Sequence, residues 1–257
     1  MLEAISALKG YGIEATDGRI GTVRDFLFDD RTWRVRWLVI DTGGWLSGRK
    51  VLVHPSAVEG ADYERQRLGV KLTRAQVEAS PDIREDQPVS LQMETDLHNY
   101  YGWDPLWVGG YLGEDSGAIA APLSAPPYFG ISAARLRADV EPAGEQGDPH
   151  LQSIAEVTGY HLHATDGEIG HVENFLFESA SWQIGYLIVD TRNWWPGKRV
   201  LMSPHAVARI DWLDHHVHLN VTRDQVRASP PWDPVKLMDE AEMKRLHSHY
   251  GWPGSGR

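Results

Sequence analysis

Cysteine is absent from all 257 residues, which excludes disulfides, thiolate nucleophiles and cysteine-ligated zinc or iron–sulfur centres together. Basic residues are in deficit. The 25 Lys and Arg stand against 36 Asp and Glu, a formal net charge of −11, which opposes a sequence-independent grip on nucleic acid phosphates or an anionic leaflet while leaving room for a local basic face. No apolar stretch nears the roughly 18 residues that span a bilayer. The opening Met1-Leu-Glu-Ala-Ile-Ser6 lacks a basic segment followed by an apolar run, so a cytoplasmic location is expected. A phosphate loop is missing too, since Gly43-Gly-x-x-x-Gly48 has no following Lys-Ser/Thr and leads into a strand. Phenylalanine is scarce at five, whereas tryptophan is plentiful at eleven.

What is present is a long internal repeat. Residues 8–58 return as 157–207 without a gap, at a constant offset of 149 (Tyr11 to Tyr160). Tyr11-Gly-Ile-Glu-Ala-Thr-Asp-Gly-Arg-Ile-Gly21 becomes Tyr160-His-Leu-His-Ala-Thr-Asp-Gly-Glu-Ile-Gly170. The same offset carries Trp33 onto Trp182, Asp41-Thr42 onto Asp190-Thr191, Pro55 onto Pro204 and Thr73-Arg-Ala-Gln-Val77 onto Thr222-Arg-Asp-Gln-Val226. Even His98-Asn-Tyr-Tyr-Gly-Trp103 recurs as His247-Ser-His-Tyr-Gly-Trp252. Solenoid repeats run at roughly 20–50 residues, so this is a whole folded unit used twice. The reading is a first domain over 1–103, a Gly-, Pro- and Ala-rich linker over 104–153 and a second domain over 154–257.

Short strands and turn signals dominate each copy. Residues 10–16 and 19–29 read as strands joined by a tight turn at Asp17-Gly18, followed by strands over 33–41, 49–54, 58–63 and 67–71. Six short antiparallel strands without intervening helices predict a mainly β fold, a small closed barrel in each copy. Short helices follow. Thr73-x-x-Gln76 and Thr222-x-x-Gln225 are capping boxes, Ser80-Pro81 and Ser229-Pro230 end the helices they open, and residues 93–101 form a second helical segment.

The order of Gly-Tyr, Thr-Asp-Gly-x-Ile-Gly, a Trp-led strand ending in Val39-Ile-Asp-Thr42, Gly43-Gly-Trp-x-x-Gly-Arg-Lys-Val-Leu-Val53 and Thr73-Arg-x-Gln-Val77 resembles the PRC-barrel family over about 95 residues of each unit. The resemblance implies a six-stranded barrel and an adaptor that binds other proteins, as in the cytoplasmic part of a bacterial photosynthetic reaction-centre subunit and the end of a ribosome maturation factor. The second copy departs from the pattern with Arg192-Asn-Trp-Trp-Pro196 in place of Gly43-Gly-Trp-Leu-Ser47.

A site needed in both units should appear twice, so the repeat filters the candidates. Asp17 and Asp166 fit hairpin turns, and Asp41 and Asp190 fit loop-fixing hydrogen bonds better than catalytic carboxylates. His98 and His247, with no Ser or Cys elbow nearby, fit packing against the barrel. Trp45, Arg49 and Lys50 in the first copy, and Trp194, Trp195, Lys198 and Arg199 in the second, place tryptophan beside basic groups on a loop, the residue types that anchor protein interfaces. The same composition can stack on RNA bases. In the second copy, His161-x-His163 projects two rings from one strand face and His215-His-Val-His218 sits at a hairpin, a candidate surface metal site with His161 and His163 as ligands. The matching Gly12, Glu14, Gln66, Arg67 and Gly69 offer no ligand set. The sequence therefore predicts a non-enzymatic tandem adaptor, without a cofactor, whose two barrels pack as an internal pseudo-dimer and dock a protein partner. The alternatives are an RNA-associated module and a metal or small-ligand sensor.

Overall fold

In the computed structural model, the described residues are 1–80, 97, 100–101, 148, 150–191, 198–234 and 240–253. They form a mainly β structure. The first half contains β1 (Leu2–Ala4), β2 (Gly12–Ala15), β3 (Gly18–Asp29), β4 (Arg34–Asp41), β5 (Lys50–Val53), β6 (Val58–Asp62), β7 (Arg67–Val70) and the short helix α1 (Arg74–Glu78). The second repeats that order as β8 (Leu151–Ser153), a helical turn α2 (Ile154–Val157), β9 (His161–Ala164), β10 (Gly167–Glu178), β11 (Gln183–Asp190), β12 (Arg199–Met202), β13 (Val207–Asp211), β14 (His216–Leu219), α3 (Arg223–Ala228) and α4 (Glu240–Tyr250). Most of the expected linker, and the sequence-predicted helix over 93–101 apart from three residues, lie outside the described residues.

The strand path differs from the expected closed antiparallel barrel. In the first half it runs β5-β4-β3-β2-β7-β6, and no β5–β6 ladder closes it among the described residues. The β2–β7 and β9–β14 ladders are parallel, with Gly12 opposite Arg67 and His161 opposite His216. The cause is the turn after β5. Pro55–Ala57 forms a single 3-10 turn that bends the chain onto the next layer without reversing it, so β6 runs in the direction of β5 and the β6–β7 hairpin delivers β7 alongside β2.

The two halves are joined into one 14-stranded sheet where β4 meets β11, and strands are exchanged on either side of that contact. β1 of the first half pairs with β10 of the second, Leu2 opposite Glu178 and Ala4 opposite Leu176. β8 of the second half pairs with β3 of the first, Leu151 opposite Asp29 and Ser153 opposite Leu27. Each exchanged strand leads into a helical turn whose start is held from the opposite half. Asn174 Oδ1 accepts the Ser6 N–H at 3.4 Å, and Asp25 Oδ1 accepts the Ala155 N–H at 3.0 Å. Between the halves, Val35 N–H donates to the Trp182 carbonyl (2.9 Å) and Ile184 N–H to the Trp33 carbonyl (2.7 Å). Trp33 and Trp182 hold φ of 55° and 58°, a left-handed conformation that costs a bulky residue of order 1–3 kcal/mol and persists where its surroundings over-determine it.

One hydrophobic core runs through both halves, with Phe28 and Phe175 ring centres 6.0 Å apart and Trp182 packed on Phe26 at 6.4 Å. A second cluster forms where Trp37 and Leu52 lie beneath Leu97. The bulge between Leu27 and Phe28 in the β3–β4 ladder falls at Arg36, whose guanidinium turns inward to Asp148 (3.0 Å) and Asp29 (3.4 Å). Among the described residues no helix is long and apolar enough to cross a membrane.

Candidate functional site

The Trp45 loop is built by the end of β4. Asp41 Oδ1 accepts the Gly43 N–H at 2.8 Å and the Thr42 hydroxyl donates to the Arg49 carbonyl at 2.5 Å, so the carboxylate fixes the loop as expected. The loop coils through a 3-10 turn at Gly43–Leu46 and leaves through Ser47 and Gly48, both at positive φ. This presses Trp45, half-buried, onto the core. The Arg74 guanidinium lies over its ring, 4.5 Å from the centroid, an attraction worth about 0.5–1 kcal/mol at such an exposed site. Trp45 then forms one wall of an open cleft of about 340 Å³, with Arg19, Ile20, Gly21 and Asp41 among its other residues.

Gly21 is required here by close approach. A Cβ on it would sit 2.1 Å from the Asp41 carbonyl oxygen, and at the equivalent Gly170 it would sit 2.0 Å from that of Asp190.

Several of the basic residues that the sequence groups into one aromatic patch have partners within the fold. Arg49 reaches the carbonyl end of α1, donating to the carbonyls of Glu78 (3.0 Å) and Ser80. Lys198 does the same in the second half, its ammonium donating to the carbonyls of Arg227 (2.5 Å) and Ser229 (2.6 Å), with burial drawing its pKa below the usual lysine value. Both tie a helix C-terminus to the loop, a favourable place for a cation. Arg199 pairs with Glu173 through two 2.5 Å contacts, and Lys50 sits opposite Asp41 in the β4–β5 ladder. Trp194 and Trp195 lie outside the described residues. Asp17 and Asp166 do more than turn a hairpin, since each accepts the N–H of the first residue of the following helix, Arg74 (2.8 Å) and Arg223 (2.7 Å).

His247 has the packing role that its surroundings suggest. Its Nε2 shares a hydrogen bond with the Tyr186 hydroxyl at 2.8 Å and its Nδ1 donates to the Pro253 carbonyl at 2.5 Å, which uses both ring nitrogens. Burial pushes the Tyr186 hydroxyl up to about 12. His98 lies outside the described residues. His161 contacts Glu168 (2.9 Å), and His163 lies against His216.

A larger cavity of about 720 Å³ opens at the seam, where Leu8, Val58 and Tyr63 of the first half face Phe177 and Trp182 of the second, with Arg34 at its wall. Nothing in the sequence pointed to it, because its two sides come from residues more than 100 positions apart.

A sequence profile of the PRC-barrel domain matches residues 2–77, which run from β1 into α1. An uncharacterised protein of Deinococcus radiodurans is 38% identical over 83 residues, a segment that makes up 32% of this chain and 29% of the relative. The chain therefore spans less than a third of the relative it matches. The profile match thus makes residues 2–77 of this chain similar to a PRC-barrel domain.

Proposed function

We propose that this protein is a non-enzymatic scaffold in which two PRC-like barrels, the second formed by residues 154–257, are locked as an internal pseudo-dimer and dock a protein partner through their loops. The observation that carries the reading is the Trp45–Arg74 stack beside an open cleft. A tryptophan held by its own fold and flanked by arginine is the kind of pre-set anchor around which interface energy concentrates. Of the candidate docking residues, Trp45 meets this description, Trp194 is its counterpart by sequence, and Trp195 follows it at the place of Leu46. Arg49 and Lys198 serve by holding the loop in place, with Lys50 and Arg199 at its edge. The exchange of β1 and β8 supports a scaffold role, because it fixes the spacing between the two loop-bearing ends.

The diversion of Arg49 and Lys198 to helix carbonyls thins the basic surface and, with the acidic chain, favours a protein over RNA. Crosslinked affinity purification from the native host tests this, with lysate split between nuclease-treated and untreated portions and a Trp45→Ala/Trp194→Ala variant alongside. A defined protein that survives nuclease and is lost in the variant supports the scaffold reading. Recovery of RNA-dependent material, or of the same proteins with the variant, overturns it.

A further inference from the structure

The outer face of β9 and β14 carries a histidine array that the first half lacks. The parallel ladder places His216 opposite His161 and His218 opposite His163. Leu162, Val217 and Leu219 alternate with them into the core, so the four imidazoles share the outward face. β10 and β13 flank the array, with Glu168 opposite His163, His171 opposite His161, Asp211 opposite His216 and Arg209 opposite His218.

Ring spacing decides what the array can do. With metal–nitrogen bonds of about 2.0–2.1 Å and tetrahedral angles, the centres of two imidazoles on one zinc stand roughly 5 Å apart. His163 and His216 are 4.7 Å apart, close to that value, while His163–His218 at 5.7 Å and His216–His218 at 6.4 Å are wider and must close to share a metal. As the side chains stand, no three donor atoms among the described residues converge on one point. The three rings are only partly buried on a strand face, and a shared metal requires rotations about their side-chain bonds to aim them together.

The repeat supplies the control. At the same places the first half has Gly12, Glu14, Arg67 and Gly69, and the parallel ladder forms all the same, with Glu14 and Arg67 in a 3.1 Å ion pair where His163 meets His216. The fold does not need these histidines.

We propose that His163, His216 and His218 form a divalent transition-metal site of the zinc class, with the fourth position open to solvent. Neutral imidazole suits zinc, nickel and copper, and an open position suits a further ligand from solvent or a partner. His161 stands aside, held by Glu168.

The test is zinc binding to the full chain near neutral pH, by calorimetry and by equilibrium dialysis with metal analysis. The expected result is one saturable zinc per chain, weakened at least tenfold by His163→Gln or His218→Gln and abolished by His216→Arg, which installs the residue found at Arg67. His249→Gln, away from this face, retains binding. Circular dichroism and metal-free melting of the variants check that the strands remain folded, and zinc raises the melting temperature of the wild type but not of His216→Arg. Weak, unsaturable uptake by the wild type overturns the proposal, as does stoichiometric binding that survives His163→Gln combined with His216→Arg.

Discussion

Arg34 is paired with Gln183, the residue that occupies its own place in the repeat, at the contact where β4 meets β11. A residue that meets its own equivalent lies on the axis relating the two copies, and the hydrogen bonds on either side obey the same relation, Val35 to Trp182 and Ile184 to Trp33. The copies differ here in a useful way. The Gln183 amide donates to the carbonyls of Thr32 (2.7 Å) and Trp33 (3.0 Å), whereas a second arginine would bring two guanidinium groups together on the axis.

The close approach of β3 to the Asp41 carbonyl makes Gly21 a sensitive position. Gly21→Ala is expected to lose about 1–3 kcal/mol or more, because the contact is backbone and cannot swing away. Gly170→Ala should cost at least as much, since Gly170 also holds φ of +138°. Gly69→Ala is the control, with nothing within 4 Å of the added Cβ. Denaturant unfolding of the three variants checks the order.

The Arg36 ion group is the costly feature of the first half. Arg36→Ala leaves the buried carboxylates of Asp29 and Asp148 without this partner and is expected to destabilise by about 3–5 kcal/mol, read from urea midpoints. The second half has Gly185 at this bulge and, among the described residues, no such group, so Gly185→Ala tests packing against Leu2 and not charge.

Acid should act on Asp29 and Asp30 in opposite senses. Burial raises the Asp29 pKa, but the N–H groups of Thr32 and Arg31 and the charges of Arg31 and Arg36 outweigh it and leave it below the usual 3.8. Its contribution is therefore present above about pH 4 and lost as pH falls through the depressed value. Burial raises Asp30 despite His150, so its protonation on acidification favours the fold. Asp29→Asn is expected to flatten the acid limb of stability against pH and Asp30→Asn to steepen it, both measured by melting between pH 2 and 6.

Much of this fold was legible in the sequence. The Asp-Gly turns, the long β3 and β10 strands and the capping boxes are where the pattern placed them, with Gln76 Oε1 accepting the Thr73 N–H at 2.9 Å and Gln225 Oε1 the Thr222 N–H at 2.8 Å. Local chemistry decides those elements. β1 and β8 were missed because Leu2-Glu-Ala4 and Leu151-Gln-Ser153 carry no strand signal of their own, and their pairing partners come from the opposite half. The parallel ladders were missed because the direction of β6 is set by one turn at Pro55–Ala57. At the candidate site, Trp45 was legible as a loop tryptophan, but the assignment of Arg49 and Lys198 to helix carbonyls was not, since it depends on where α1 and α3 fold back.

The tyrosine that holds His247 gives an independent check on the second half. Tyr186→Phe removes the hydrogen bond to Nε2 and is expected to cost about 1–3 kcal/mol. With its pKa raised to about 12 in the fold, Tyr186 stabilises below pH 10, and that contribution is lost as pH rises toward 12. The variant should therefore show a shallower alkaline loss of stability.

Exchange of the N-terminal strands is the central structural claim, and the cysteine-free chain allows a direct test by paired cysteines. Ala4→Cys with Leu176→Cys joins residues that face each other across β1 and β10, whereas Ala4→Cys with Leu27→Cys joins β1 to the equivalent place on its own half's long strand. Under mild oxidation of the monomer, the account predicts rapid intrachain closure of the 4–176 pair, with both thiols lost and the fold retained, while the 4–27 pair keeps its free thiols. Closure of 4–27 in preference to 4–176 would contradict it, because β1 would then belong to its own half.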